Sequence, residues 1–113
     1  LRKFQELGGQ ADEVLTIATA ARAGERAGRE AFSMMAESLA RCVTIIQTLL
    51  DVDAVGFTGG ISASFDLIQP ELEAHVRRLA YAKPLGEVPL VVSELGARAG
   101  VIGAAHLHQL LDR

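Results

Sequence analysis

Two short apolar runs, Ala54-Val55-Gly56-Phe57-Thr58 and Val88-Pro89-Leu90-Val91-Val92-Ser93, suit buried strands, and helical periodicity separates them. A strand, a helical crossover and a second strand in one sheet pair in parallel through a right-handed connection, which narrows the fold to an α/β unit. Two parallel strands alone leave unpaired backbone along both edges and need cover on both faces. The expected sheet is therefore incomplete, to be finished by strands from other sequence or from another copy of the chain.

The first run ends in Gly59-Gly60-Ile61-Ser62. A glycine pair lets the backbone turn sharply or approach a ligand closely, and a helix opening behind it points free N–H groups at the corner. A phosphate or a nucleoside suits such a place. So does nothing at all, since strand-to-helix turns carry glycine for geometry, and the local motif alone favours geometry. The corner matches neither GxxxxGK[ST] nor GxGxxG.

The other segments read as helices. A short one is expected over residues 1–7, stopped by Gly8-Gly9, and another over 11–23, with Val14, Ile17, Ala18 and Ala21 on one face and Gly24 as its stop. The longest runs over 26–50, with Phe32, Met35, Leu39, Val43, Ile46 and Leu50 spaced as a core stripe. Met34 and Met35 read as core filling. Asp51-Val52-Asp53 is a solvated turn into the first strand. After Ser62, the residues Phe65, Ile68, Leu72, Val76 and Leu79 mark a helix that Pro70 should kink or restart near Gln69. Residues 83–86 read as a loop, and 94–97 as a turn. A last helix follows from Arg98 or Ala99 to about Leu111, with Gly100 and Gly103 allowing close approach to its neighbours.

With 113 residues the chain is one domain or less, and its 50% hydrophobic content excludes a disordered one. A net charge of −3 supplies no basic field for nucleic acid or an anionic membrane. Cys42 is the only cysteine, so no intrachain disulfide forms, and a reduced, cytoplasmic setting and a packed thiol are expected. No apolar run reaches the roughly 20 residues of a membrane helix. The chain opens at Leu1-Arg2-Lys3 without a methionine or a signal-peptide pattern, as expected of a fragment of a longer protein.

Chemistry-bearing clusters are sparse. His106 and His108 stand two apart on the expected helix, unlike an i, i+4 zinc pair, and His75 is remote in sequence. No serine sits in a nucleophile elbow, and no histidine near Cys42 argues for its activation. From these residues alone no catalytic residue and no metal site is expected.

Three stretches together resemble the C-terminal part of the ROK family of bacterial repressors and sugar kinases. Ala20 to Phe32 (AARAGERAGREAF) is similar to the family's ARAGD helix junction, DVDAVGFTGGIS at 51–62 to its NPE-IVLGGGVS strand and turn, and SELGARAGVIGAAHL at 93–107 to its closing ALG-x-x-AGLIGAA stretch. The resemblance implies an α/β fragment of the actin-like, RNase H-like ATPase fold, with two parallel strands covered by helices and residues 1–113 as one C-terminal subdomain. It also implies that Thr58, Gly59, Gly60 and Ile61 lie beside the adenosine of ATP. The family's DxGxT phosphate segment, ExGH catalytic region and CxCGxxGC zinc cluster do not occur here. Thr58 stands where the family's first glycine often lies, and Ala97-Arg98 replaces acidic residues. Both departures favour a sugar-responsive transcriptional regulator, with this piece serving effector-linked closure and dimerisation. The alternative is the ATP-binding half of a sugar kinase, inactive as this fragment. Either way the expected partners are a second copy, the N-terminal lobe of the parent and a sugar bound there, with no nucleic-acid contact from this segment. FTGGI also resembles acetate kinase, which has no good counterpart to the closing stretch.

Overall fold

The computed structural model describes residues 14–111. The helix expected over 1–7 lies outside them. Helix α1 (Val14–Arg22) buries Ile17, Ala18, Ala20 and Ala21. It stops at Gly24, which takes φ +87°, while the Gly24 and Glu25 amides donate to the carbonyls of Ala21 and Ala20, closing the turn on orphan acceptors.

Helix α2 (Arg26–Leu50) has the expected bounds and keeps only part of the expected stripe, burying Phe32 and Val43 and packing Met35 and Leu39 against the core. Its buried residues are Gly28, Phe32, Ala36, Ala40, Val43 and Gln47, whereas Ile46 is 37% and Leu50 69% exposed and Met35 and Leu39 are half-buried. The reason is steric. α2 packs against α1 and against α3 (Gln69–Leu79), and close helix approach selects small residues over long ones. A Cβ on Gly28 would lie 2.7 Å from the Ala21 nitrogen, closer than any real contact. Met34, expected in the core, is 47% exposed, and Cys42, expected as a packed thiol, is exposed on the outer face. At the far end Asp51 adopts φ 45° and donates its amide to the Gln47 carbonyl, and the buried Gln47 side chain accepts from the Val52 amide at 2.9 Å.

Strands β1 (Val55–Phe57) and β2 (Leu90–Val92) pair in parallel in the register Val55 to Leu90, Gly56 to Val91 and Phe57 to Val92. Pro89 contributes only its carbonyl, accepting from the Val55 amide, so its missing N–H costs no ladder bond. Among the described residues the sheet has these two strands only. Val55, Phe57 and Leu90 turn toward the core, while the paired Gly56 and Val91 lie on an open face.

Between the strands the chain runs through a 3-10 helix (Gly59–Leu67) and then α3. Pro70 has no N–H to offer the Asp66 carbonyl, so an α-helical ladder cannot pass through it. The α-helix restarts at Gln69 with Pro70 in its first turn, as expected from the sequence. Ile68, just before it, and Leu72 and Val76 within it are the largest fully buried side chains among the described residues. Residues 83–86, expected as a loop, form a one-turn helix α4 (Lys83–Gly86), with Pro84 at its start where a donor is not needed.

After β2, a turn and a second 3-10 segment (Gly96–Arg98) lead into α5 (Ala99–Ala105) and α6 (His108–Leu111). The single helix expected here is broken at His106-Leu107, where the amides of both residues reach back three positions instead of four. The His106 ring, through Nδ1, bonds the Ile102 carbonyl. α5 buries no residue, and a Cβ on Gly100 or Gly103 would meet nothing within 4 Å, so these glycines do not serve close packing. No helix among the described residues is long and apolar enough to cross a membrane. The chain is thus mostly helical α/β with a small open parallel sheet, and it fits a fragment of the actin-like fold.

Candidate functional site

The corner after β1 is built residue by residue. Thr58 keeps the extended backbone of the strand (φ −144°, ψ 172°) and exposes its side chain. Gly59 then takes φ +82°, a conformation that L side chains rarely adopt, and the chain reverses into the 3-10 helix. The Ser62 hydroxyl donates to the Gly59 carbonyl at 2.6 Å and holds the turn shut. Gly60 is exposed, and a Cβ there would meet nothing within 4 Å. Ile61 is half-buried and packs onto the core.

Gly60 and Ile61 form one wall of a pocket of about 290 Å³, completed by Ser64 on the 3-10 helix and by Phe32 and Met35 on α2. This size is near the lower end for small-molecule sites, enough for one ring system with its attachments outside. Thr58 and Gly59 are at the corner but not in the pocket wall. Nothing local in the sequence marks Phe32 and Met35 as facing the glycine corner, because that juxtaposition depends on how α2 crosses the chain after β1.

The 3-10 helix is fixed from outside. The Arg22 guanidinium donates from α1 to the Ala63 carbonyl at 3.1 Å and to the Asp66 carboxylate at 2.8 Å. Below it, the Phe57 and Phe65 rings tilt together at 5.0 Å between centroids. The turn after β2 sits alongside, with Gly96 at φ +59° and the Ser62 hydroxyl 3.8 Å from where a Gly96 Cβ would stand. Both corners lie at the carboxyl ends of parallel strands, where open α/β sheets take their ligands.

A second cavity, about 320 Å³, lies at the α1–α2 junction between Gly24, Arg26, Arg29, Glu30, Ser33 and Glu71. Its polar groups largely bond one another: Arg26 donates to Glu30, and Ser33 to Glu71. The hydrogen bond and charge of Glu30 hold the Arg26 guanidinium above its ordinary pKa. Its two guanidiniums and two carboxylates balance, so its wall offers a phosphate no net positive charge. Among the described residues no group of three or more His, Cys, Asp or Glu side chains is placed to hold a metal ion. His106 and His108 are exposed, and His75 accepts a hydrogen bond from Arg78 at 2.9 Å.

The model of the ROK family matches residues 2–110. Two curated relatives, each called bifunctional enzyme NanE/NanK, come from Brucella melitensis biotype 1 and Brucella suis biovar 1. Each is 31% identical over 99 residues, which cover 88% of this chain. The chain spans 18% of the length of these relatives. No solved structure matches it significantly.

Proposed function

The chain belongs to the ROK family, and from that premise we propose that it is the adenosine-side subdomain of an ATP-dependent sugar kinase. The observation that carries the reading is the pocket against Gly60 and Ile61, whose apolar walls suit a nucleobase while the open corner leaves room for the ribose and phosphates to leave it. The two relatives carry the name of an enzyme, and we extend a catalytic role to the parent of this chain. On this reading Thr58, Gly59, Gly60 and Ile61 hold the nucleotide. The sugar and the aspartate that takes the proton from its hydroxyl belong to a lobe outside this chain, which by itself transfers no phosphoryl group.

Thermal unfolding with and without ATP tests the proposal. A ligand that binds only the folded state adds about 2.7 kcal/mol at one hundred times its Kd, a rise of several degrees for a domain of this size. Gly60→Val should abolish the rise and leave the unliganded midpoint nearly unchanged, since a Cβ there is unopposed and its methyl groups crowd the corner. A cooperative melt that ATP does not move refutes the kinase reading.

That result would put forward a second reading, a sugar-responsive regulator in which this subdomain serves closure and dimerisation. Thr58 and Arg98, which depart from the family's pattern, favour it. On either reading we propose a cytoplasmic protein that self-associates, because the open sheet face at Gly56 and Val91 lacks cover. Light scattering that returns a monomer at every concentration would count against self-association.

A further inference from the structure

One polar group in the pocket has no task in the fold. Ser33 donates to Glu71, Ser38 to the Met34 carbonyl and Ser62 to the Gly59 carbonyl, while the Ser93 hydroxyl accepts from the Leu95 amide. Ser64 is 6% exposed, and its hydroxyl makes no hydrogen bond among the described residues. A hydroxyl with no protein partner takes its hydrogen bond from water or from a ligand. No fully occluded side-chain oxygen or nitrogen of the described residues lacks a partner, so this hydroxyl keeps an opening. The opening is the pocket, whose wall Ser64 shares with Phe32, Met35, Gly60 and Ile61.

We propose that Ser64 is a base-reading residue, its hydroxyl bonding the polar edge of a purine ring that lies between α2 and the 3-10 helix. The inference rests on the nucleotide reading of the same pocket and deepens it. Four of the five walls offer only hydrocarbon, a thioether, an aromatic ring or glycine backbone, which suit the faces of a flat ring without telling one ring from another. A single hydroxyl among them supplies orientation, because a ring whose polar edge points elsewhere leaves both that edge and Ser64 unsatisfied. The position is held from both sides. Arg22 grips the Ala63 carbonyl and the Asp66 carboxylate, and the neighbouring Phe65 is buried against Phe57. Arg22 is therefore a positioning residue for Ser64, acting from the solvent side without reaching the pocket.

The test is calorimetric titration of the protein and of Ser64→Ala with adenosine, ATP and inorganic tripolyphosphate. Ser64→Ala should weaken adenosine and ATP alike by roughly 3- to 10-fold, the worth of one hydrogen bond, and leave tripolyphosphate binding unchanged. Its unliganded melting midpoint should stay level or rise, because the substitution removes a hydroxyl with no partner in the fold. Ser64→Cys, which keeps the volume and a weak donor, should fall between the two. Equal ATP affinity in wild type and Ser64→Ala overturns the role of Ser64 and leaves the nucleotide reading standing. A fall in the unliganded midpoint with affinity unchanged assigns Ser64 to the fold instead. Wild-type protein that binds neither adenosine nor ATP overturns both.

Discussion

The layer formed by α1, α2 and α3 and the segment formed by α5 and α6 are both rich in alanine and aliphatic residues, yet they meet solvent in opposite ways. In the layer, Ile17, Ala36, Ala40, Leu72 and Val76 are essentially inaccessible. In the C-terminal segment, Val101, Leu107 and Leu110 are 73%, 55% and 67% exposed, and α5 buries nothing. Composition does not separate the two. What separates them is whether small residues face a neighbouring backbone: Gly28 of α2 meets Ala21 of α1, while Gly100 and Gly103 meet open space. The glycine corner sits between these regimes, anchored on the packed side by Phe65 and Ile68 and open on the other at Gly60.

The contrast breaks most visibly in the core. Leu72→Ala should cost about 2–5 kcal/mol, because the site is closed on every side and cannot collapse around the lost atoms. Val101→Ala, removing comparable chemistry from an exposed position, should stay within about 0.5 kcal/mol. Paired chemical-denaturation curves check both, and equal losses would erase the distinction.

The glycines sharpen it through opposite signs. Gly28→Ala should destabilise by about 1–3 kcal/mol despite the better helix propensity of alanine, because its Cβ must displace the Ala21 backbone. Gly103→Ala should stabilise by up to about 1 kcal/mol, the propensity gain with nothing to oppose it. Melting midpoints of the two variants that move in the same direction would contradict this account of the two regions.

Arg22→Ala should have the smallest effect on stability, at most about 1 kcal/mol and less in high salt, since both members of its ion pair with Asp66 are largely solvated. Its effect on the pocket is the informative one. Hydrogen exchange should speed up over residues 59–67 while α2 keeps its protection, and uniform loss of protection would mean that Arg22 holds the whole fold instead.

These differences also mark what the sequence could reveal. The bounds of α2, the restart forced by Pro70, the stop at Gly24 and the parallel pairing all follow from local chemistry: periodicity, a missing donor, a positive φ, an intervening helix. Their signals lie within a few residues of their effects. The buried stripe of α2 does not, because which residues it buries depends on α1 and α3 lying close enough to prefer Ala36 and Ala40 to Ile46 and Leu50. The break at His106 escaped for a related reason, since an unpacked helix has no tertiary contacts to carry it past a residue that bonds its own backbone. The corner residues Thr58 to Ile61 were legible as a turn, and only the resemblance to the ROK family suggests a nucleotide beside them. Phe32, Met35 and Ser64 were not legible as pocket residues, because a pocket wall is drawn from segments that only the fold brings together.

The most direct measurement is a two-dimensional NMR titration of the labelled protein with ATP, following every backbone amide. Binding at the corner predicts shifts concentrated at Thr58–Ser64 and at Phe32 and Met35, with α5, α6 and the charged cavity around Arg29 and Glu71 unmoved. Shifts centred on that charged cavity, or a spectrum that ATP does not perturb, would contradict the assignment of the glycine corner as a nucleotide site.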